Sequence, residues 1–215
     1  MRTSAIIMAG GFSKRFGQDK GLVILAGRPL VVHVTDRIST LVDEIIVVVR
    51  SKEQEKAYAC LTESKIRLAI DRGESQSPLV GALTGFEAAS NEYAVLLPCD
   101  TPFVSTSVMR LMLELCVGRD AVIPRWPNGY LEPLQAVYNT SAAYVAAIKA
   151  LETGKLDMRA MIAKLRKIRY LSTLVVAQLD LKCLTFFNVN TPVDLKKAEH
   201  LLKSTRHHSL GSVSI

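Results

Sequence analysis

Short runs of Val, Ile, Leu and Ala recur along the chain, separated by longer stretches in which apolar residues return at helical spacing. The runs predict strands over Ser4–Met8, Glu44–Val49, Ile66–Ile70 and Tyr93–Leu97, each bounded by turn or charged residues. The stretches between them predict helices over Pro29–Leu41, with proline at the favoured first position, Lys52–Leu61 and Leu79–Ser90. Continuous apolar strands alternating with amphipathic helices indicate βα units around a mainly parallel sheet buried on both faces. Further on, the pattern predicts a helix over Ser105–Val117 and strands over Ala121–Pro124 and Leu134–Tyr138, flanking the turn-rich Arg125-Trp126-Pro127-Asn128-Gly129-Tyr130. Helices are expected over Ser141–Glu152 and Met158–Leu165, a strand over Thr185–Val189, and a last helix over Pro192–Leu202. The fold class is α/β, a Rossmann-like three-layer αβα sandwich. One domain is expected over residues 1–203, and the small, polar residues 204–215 are expected to be a flexible tail.

Composition narrows the class. Of 215 residues, 49% are hydrophobic and 22% charged, and no apolar run approaches the roughly 20 residues that span a bilayer. The apolar start Ala5–Ala9 is too short for a signal peptide, so a cytoplasmic location without membrane contact is expected. Cys60, Cys99, Cys116 and Cys183 are scattered without zinc spacing and are assigned to packing as free thiols. A net charge of +7 favours anionic partners. With aromatics at only 6% and none interleaved with basic runs, nucleic-acid binding is not expected.

Ligands of open α/β sheets bind beyond the carboxyl ends of the strands, so the loops there carry the information. After Ser4–Met8 comes Ala9-Gly10-Gly11-Phe12-Ser13-Lys14-Arg15-Phe16-Gly17-Gln18-Asp19-Lys20. Paired glycines admit close backbone approach, their N–H groups can cradle an anion, and Arg15 and Lys20 add charge; a tight turn with solvated cations is the alternative. The spacing matches neither the dinucleotide fingerprint nor the P-loop. After Tyr93–Leu97, Asp100 lies between Pro98 and Pro102, where a carboxylate can hold Mg²⁺ together with substrate phosphates or cap the next helix. In Asn188-Val189-Asn190-Thr191-Pro192, alternation puts both amides on one side, while Thr191 can cap the helix that follows. Asp71, ending Ile66–Ile70, is either a base or ribose contact or a plain turn aspartate.

Together, Ile7-Met8-Ala9-Gly10-Gly11-x-Ser13-x-Arg15-x-Gly17-x-x-Lys20, Gly27-Arg28-Pro29-Leu30, Pro98-Cys99-Asp100-Thr101-Pro102-Phe103, Glu132-Pro133-Leu134-Gln135-Ala136-Val137-Tyr138 and Asn188-x-Asn190-Thr191-Pro192 resemble the molybdenum cofactor guanylyltransferases. The likeness runs from about residue 4 to residue 202. It implies the nucleotide-diphospho-sugar transferase type of fold, with an NTP-binding N-terminal half and an acceptor-binding C-terminal half. It also implies transfer of GMP from GTP to molybdopterin with Mg²⁺, in the cytoplasm. GTP contacts are implied for Met8, Ala9, Gly10, Gly11, Lys20, Asp71 and Asp100, catalytic roles for Arg15, Lys20 and Asp100, and the metal for Asp100. Asn188 and Asn190 are implied near the acceptor or the metal. Phe16 stands where methionine is usual, and Ser75-Gln76-Ser77 replaces a glycine-richer stretch, so guanine selectivity rests on that loop.

The first and Asp100 motifs are shared across nucleotidyltransferases, so cobinamide-phosphate, cytidine-using and sugar-phosphate relatives are alternatives, as is a GTP-binding regulatory domain without turnover. The sequence offers no Ser-His-Asp or Cys-His constellation: His33 lies in a helical stretch, and His200, His207 and His208 in the final helix and tail. The basic stretch from Lys149 to Tyr170 is either a solvated face or a surface for an anionic pterin or for proteins that deliver or accept the cofactor.

Overall fold

A computed structural model of the chain describes residues 2–61, 66–71 and 77–210. Seven strands form the central sheet: β1 (Thr3–Met8), β2 (Glu44–Val49), β3 (Ile66–Ile70), β4 (Tyr93–Pro98), β5 (Ala121–Arg125), β6 (Ala136–Asn139) and β7 (Ile168–Ser172). Their order across the sheet is β7-β5-β6-β4-β1-β2-β3, and β6 alone runs antiparallel to its neighbours. Ala5, Ile6 and Ile7 of β1, Ile46 and Val47 of β2 and Ala94–Leu97 of β4 are completely buried. Strands buried at every position need both faces covered, which is why these segments read as unbroken apolar runs.

The covering helices are α1 (Leu30–Ser39), α2 (Lys52–Ala59), α3 (Pro78–Ala88), α4 (Thr106–Cys116), α5 (Thr140–Glu152), α6 (Met158–Ile162), α7 (Thr173–Leu179) and α8 (Pro192–Leu210). Helix α3 packs tightly against the sheet at Gly85. A Cβ at Gly85 would collide with Ile6 Cγ2 and lie 3.3 Å from Val48 Cγ2, both on buried central strands with no room to retreat. Gly85→Ala is therefore expected to destabilise the fold: overpacking of about 1–3 kcal/mol exceeds the ~0.5–1 kcal/mol that alanine adds to a helix. Equilibrium urea unfolding should show a lower midpoint at unchanged slope, and a raised midpoint would refute this packing.

The structure departs from the sequence pattern in five places. The segment 185–189 is no strand: Leu184–Phe186 forms a 3₁₀ turn after a left-handed Cys183, and Val189 donates its N–H to the Asp100 carbonyl in place of a strand ladder. Pro29 is not the first helical residue, because it pairs with Ile24 in a two-residue hairpin and α1 begins at Leu30. Strand β7 and helix α7 went unpredicted, since the basic run from Lys164 hides the alternation of an edge strand whose one neighbour is β5. Helix α8 continues past Leu202 to Leu210, as neither glycine nor proline intervenes before Gly211. Finally, residues 12–19 form a small hairpin, pairing Phe12 with Asp19 and Ser13 with Gln18 around a left-handed Gly17, a pairing that the sequence pattern does not predict.

A second, smaller core positions the chemistry. Val23, Leu25, Leu30, Phe103, Val189 and Ala198 pack together away from the main core. Val23 follows Lys20 by three residues, Phe103 follows Asp100 by three, and Val189 separates Asn188 from Asn190. Burial of these side chains thus fastens three sequence-distant loops to one another.

Candidate active site

Strand register sets the site. Met8 pairs with Val48 on one side and Pro98 on the other, and Val49 with Ile70, so the residues just beyond these pairs emerge along one edge of the sheet. Those residues include Gly10, Arg50, Asp71 and Asp100. Together with the β5–β6 connection and Asn188 and Asn190 they line a cavity of about 730 Å³.

At its centre Lys20 forms an ion pair with Asp100 and donates from Nζ to Asn190 Oδ1 at 2.6 Å. Asp100 is 5% exposed, and its Oδ1 is buried without a hydrogen-bond partner among the described residues. A buried, half-satisfied carboxylate is costly unless a ligand completes it, so Asp100 fits a cation that binds through one carboxylate and substrate oxygens. No group of three His, Cys, Asp or Glu residues with metal-binding geometry occurs among the described residues. The helix-capping alternative for Asp100 falls away, because Ser105 caps α4 and accepts from Val108 N.

Lys20 is aimed by its neighbour. Asp19 accepts from Tyr58 Oη at 2.7 Å, from Gly21 N at 2.9 Å and from Gln54 Nε2. Burial raises the Asp19 carboxyl, and the bonds from Tyr58, Gly21 and Gln54 offset that rise only in part. Lys20 N donates to the Gly11 carbonyl at 3.1 Å, closing the hairpin against the glycines. The N–H groups of Gly10 and Gly11 find no partner among the described residues and remain available to an anion. Gly10 has a steric reason as well: a Cβ there would lie 2.5 Å from Arg50 Cγ, whose side chain crosses it.

Of the ten residues singled out from the sequence, Met8, Gly10, Gly11, Lys20, Asp71, Asp100, Asn188 and Asn190 line the cavity. Ala9 and Arg15 do not. Ala9 is fully buried and its N–H is taken by the Val48 carbonyl, while Arg15 is exposed at the hairpin tip. The cavity's second cation is instead Arg50, whose guanidinium has no ion pair among the described residues. It closes β2 just as Asp71 closes β3, so inspecting every strand end would have found it.

Asp71 accepts from Thr84 Oγ1 at 3.4 Å. Asn188 Oδ1 accepts from the buried Gln135 at 3.4 Å. Thr191 and Asp194 exchange bonds at the start of α8, so Thr191 caps while Asn190 remains in the cavity. Ser75 and Gln76 lie outside the described residues; Ser77 caps α3.

The β5–β6 connection contributes Tyr130, Glu132, Pro133, Leu134 and Gln135 to the cavity. Burial raises the Glu132 carboxyl, offset in part by the bond from Trp126 Nε1 at 2.7 Å. No histidine among the described residues lines the cavity. His33 sits at 2.8 Å from the Leu25 carbonyl, with burial lowering its pKa. Cys99 lines the cavity, but burial pushes its thiol well above the ordinary range, away from nucleophilic use. The four cysteines are free thiols. No residue between Lys149 and Tyr170 reaches the cavity, and no helix among the described residues is long and apolar enough to cross a membrane.

Comparison with known proteins agrees with this geometry. Residues 5–168 match the MobA-like NTP transferase domain. A probable molybdenum cofactor guanylyltransferase of Natronomonas pharaonis is 32% identical over 200 residues, covering 93% of this chain and 98% of that protein. A molybdenum cofactor guanylyltransferase of Desulfosudis oleivorans is 31% identical, covering 94% and 97%. Among solved structures, molybdopterin-guanine dinucleotide biosynthesis protein A from Archaeoglobus fulgidus superposes with a TM-score of 0.79 at 26% identity, covering 94% of this chain and 99% of that one.

Proposed function

The chain belongs to the MobA-like NTP transferase domain family, and from that premise we propose that it transfers GMP from GTP to molybdopterin, giving molybdopterin guanine dinucleotide and pyrophosphate. The observation that carries the reading is the Asp100–Lys20–Asn190 cluster beside the Gly10 and Gly11 amides, facing a cavity of about 730 Å³. The nucleotide side is assigned to the ends of β1, β2 and β3, with Met8, Gly10, Gly11, Arg50 and Asp71. The acceptor side is assigned to the β5–β6 connection and Asn188. In domain terms the N-terminal half binds nucleotide and the C-terminal half binds acceptor.

The acceptor's terminal phosphate has a second pKa of about 6, so at neutral pH it is already a nucleophile and needs no general base. A phosphate oxygen attacks the α-phosphorus of GTP, and the bond from that phosphorus to the bridging oxygen of pyrophosphate breaks as the new one forms. The barrier is repulsion between two polyanions, so positioning and positive charge are what the site must supply. Lys20 supplies a fixed ammonium held by Asn190, and Gly10 and Gly11 supply oriented N–H donors. Asp100 would hold Mg²⁺, which when bound neutralises triphosphate oxygens. Arg15, exposed on the hairpin, remains a catalytic candidate only if that hairpin folds over bound substrate.

The test is pyrophosphate release from the purified chain with Mg²⁺ and molybdopterin, using GTP, ATP, CTP and UTP in turn. Turnover with GTP well above the other nucleotides, lost on chelating the metal, is expected. Preference for CTP, or turnover only with a sugar phosphate or cobinamide phosphate as acceptor, would replace this assignment.

A further inference from the structure

Glu132 is held in an unusual way for a carboxylate at the mouth of a connection between strands. Its backbone N–H donates to the Pro124 carbonyl, and the Pro133 carbonyl that follows accepts from Tyr138 Oη at 2.7 Å. One carboxylate oxygen, Oε1, accepts from the Trp126 indole, which in turn packs edge-on against Phe186 with ring centres 5.6 Å apart. The other oxygen takes no hydrogen bond from the described residues. Glu132 is thus a half-desolvated acceptor in fixed orientation, lining the cavity with unused lone pairs. Tyr130, 52% exposed, lines the same wall and offers an aromatic ring. Sheet order sets this wall on the β5–β6 side of Asp100, whereas Arg50 and Asp71 lie on the β2–β3 side.

We propose that Glu132 reads the pterin ring of the acceptor, its carboxylate accepting in parallel from the ring N3–H and the 2-amino group, with Tyr130 as the stacking surface. The inference rests on the reading of the acceptor as a pterin. A 2-amino-4-oxopteridine presents adjacent donors on that edge, and a carboxylate complements them as it does a guanidinium, with charge-assisted bonds roughly twice as strong as neutral ones. A 2,4-dioxopteridine places a carbonyl oxygen where the amino group was and meets the carboxylate with repulsion.

The experiment separates this assignment from the overall reaction. Calorimetric titration of the GTP-loaded protein with 6-hydroxymethylpterin and with its 2,4-dioxo counterpart should show the pterin bound at least ~10-fold more tightly. Glu132→Gln keeps an oxygen for Trp126 but turns a donor toward the ligand, so it should erase that preference. It should also raise KM for molybdopterin ~10- to 100-fold while KM for GTP stays unchanged. An unchanged emission spectrum from Trp126, the single tryptophan, and an unchanged unfolding midpoint would show the fold intact. Equal affinity of the two probes for the wild type, no pterin binding, or a preference that survives Glu132→Gln would overturn the proposal. A rise in KM for GTP instead would also overturn it and assign Glu132 to guanine. Failure of the wild type to release pyrophosphate with molybdopterin overturns the reaction, and the probe titrations still report on Glu132.

Discussion

Asp100→Ala is expected to lower the rate of pyrophosphate release by about 10³-fold or more while the protein remains folded. Asp100 is the carboxylate whose buried oxygen has no partner among the described residues, and it is the Lys20 counter-ion. Removing it takes away the proposed metal ligand and lets Lys20 swing to other anions. The effect on stability should be small, because the group left behind, Lys20, keeps Asn190 and is 22% exposed by side chain, so water can still reach it. Asp100→Asn separates charge from shape: it should be almost as inactive, since an amide is a poor ligand for a hard divalent cation. Steady-state kinetics with a melting curve for each variant decides the matter, and activity within ~10-fold of wild type would remove Asp100 from the chemistry.

Lys20→Ala carries the second large effect and differs in kind. It should lower kcat/KM for GTP by roughly 10²- to 10³-fold, the scale for losing one pre-aimed electrostatic donor, with both kcat and KM affected. Here the group left behind is the Asp100 carboxylate, 7% exposed by side chain, with its compensating cation gone. Breaking a fully buried pair in this way costs about 3–5 kcal/mol, and partial water access through the cavity should reduce that to about 2–3 kcal/mol. The two variants thus predict opposite patterns. Asp100→Ala is inactive and stable, whereas Lys20→Ala is impaired and visibly less stable by urea unfolding. Equal stability of the two would mean that the pair does not compensate Asp100 as described.

Much of this was legible in the chain. Strands β1, β2 and β4 are buried on both faces, so their apolar runs announced themselves, and a parallel sheet then required that function lie at their carboxyl ends. Gly10, Lys20, Asp71 and Asp100 follow from that rule, whereas the two asparagines reach the cavity from a segment that is no strand. What hid was structure with weak periodicity. Strand β7 sits at an edge beside a basic run, and residues 188–190 are held by packing Val189 in the smaller core and bonding it to the Asp100 carbonyl, without a ladder. Arg15 was singled out because it shares a loop with Lys20, but a hairpin turns it outward, and local sequence does not register the pairing of Phe12 with Asp19.

The amino-acid order by itself determined the layers of the fold, the edge on which the site lies and the residue types able to bind phosphate and metal, because these depend on periodicity and on side-chain chemistry. Only the tertiary structure decided that Tyr58 and Gln54 of α2 steady Asp19 beside Lys20, that Arg50 and not Arg15 faces the cavity, and that Trp126 orients Glu132. Each of those is a meeting of residues whose partner is chosen by strand register and packing between elements, and neither is written in the local spacing of either residue.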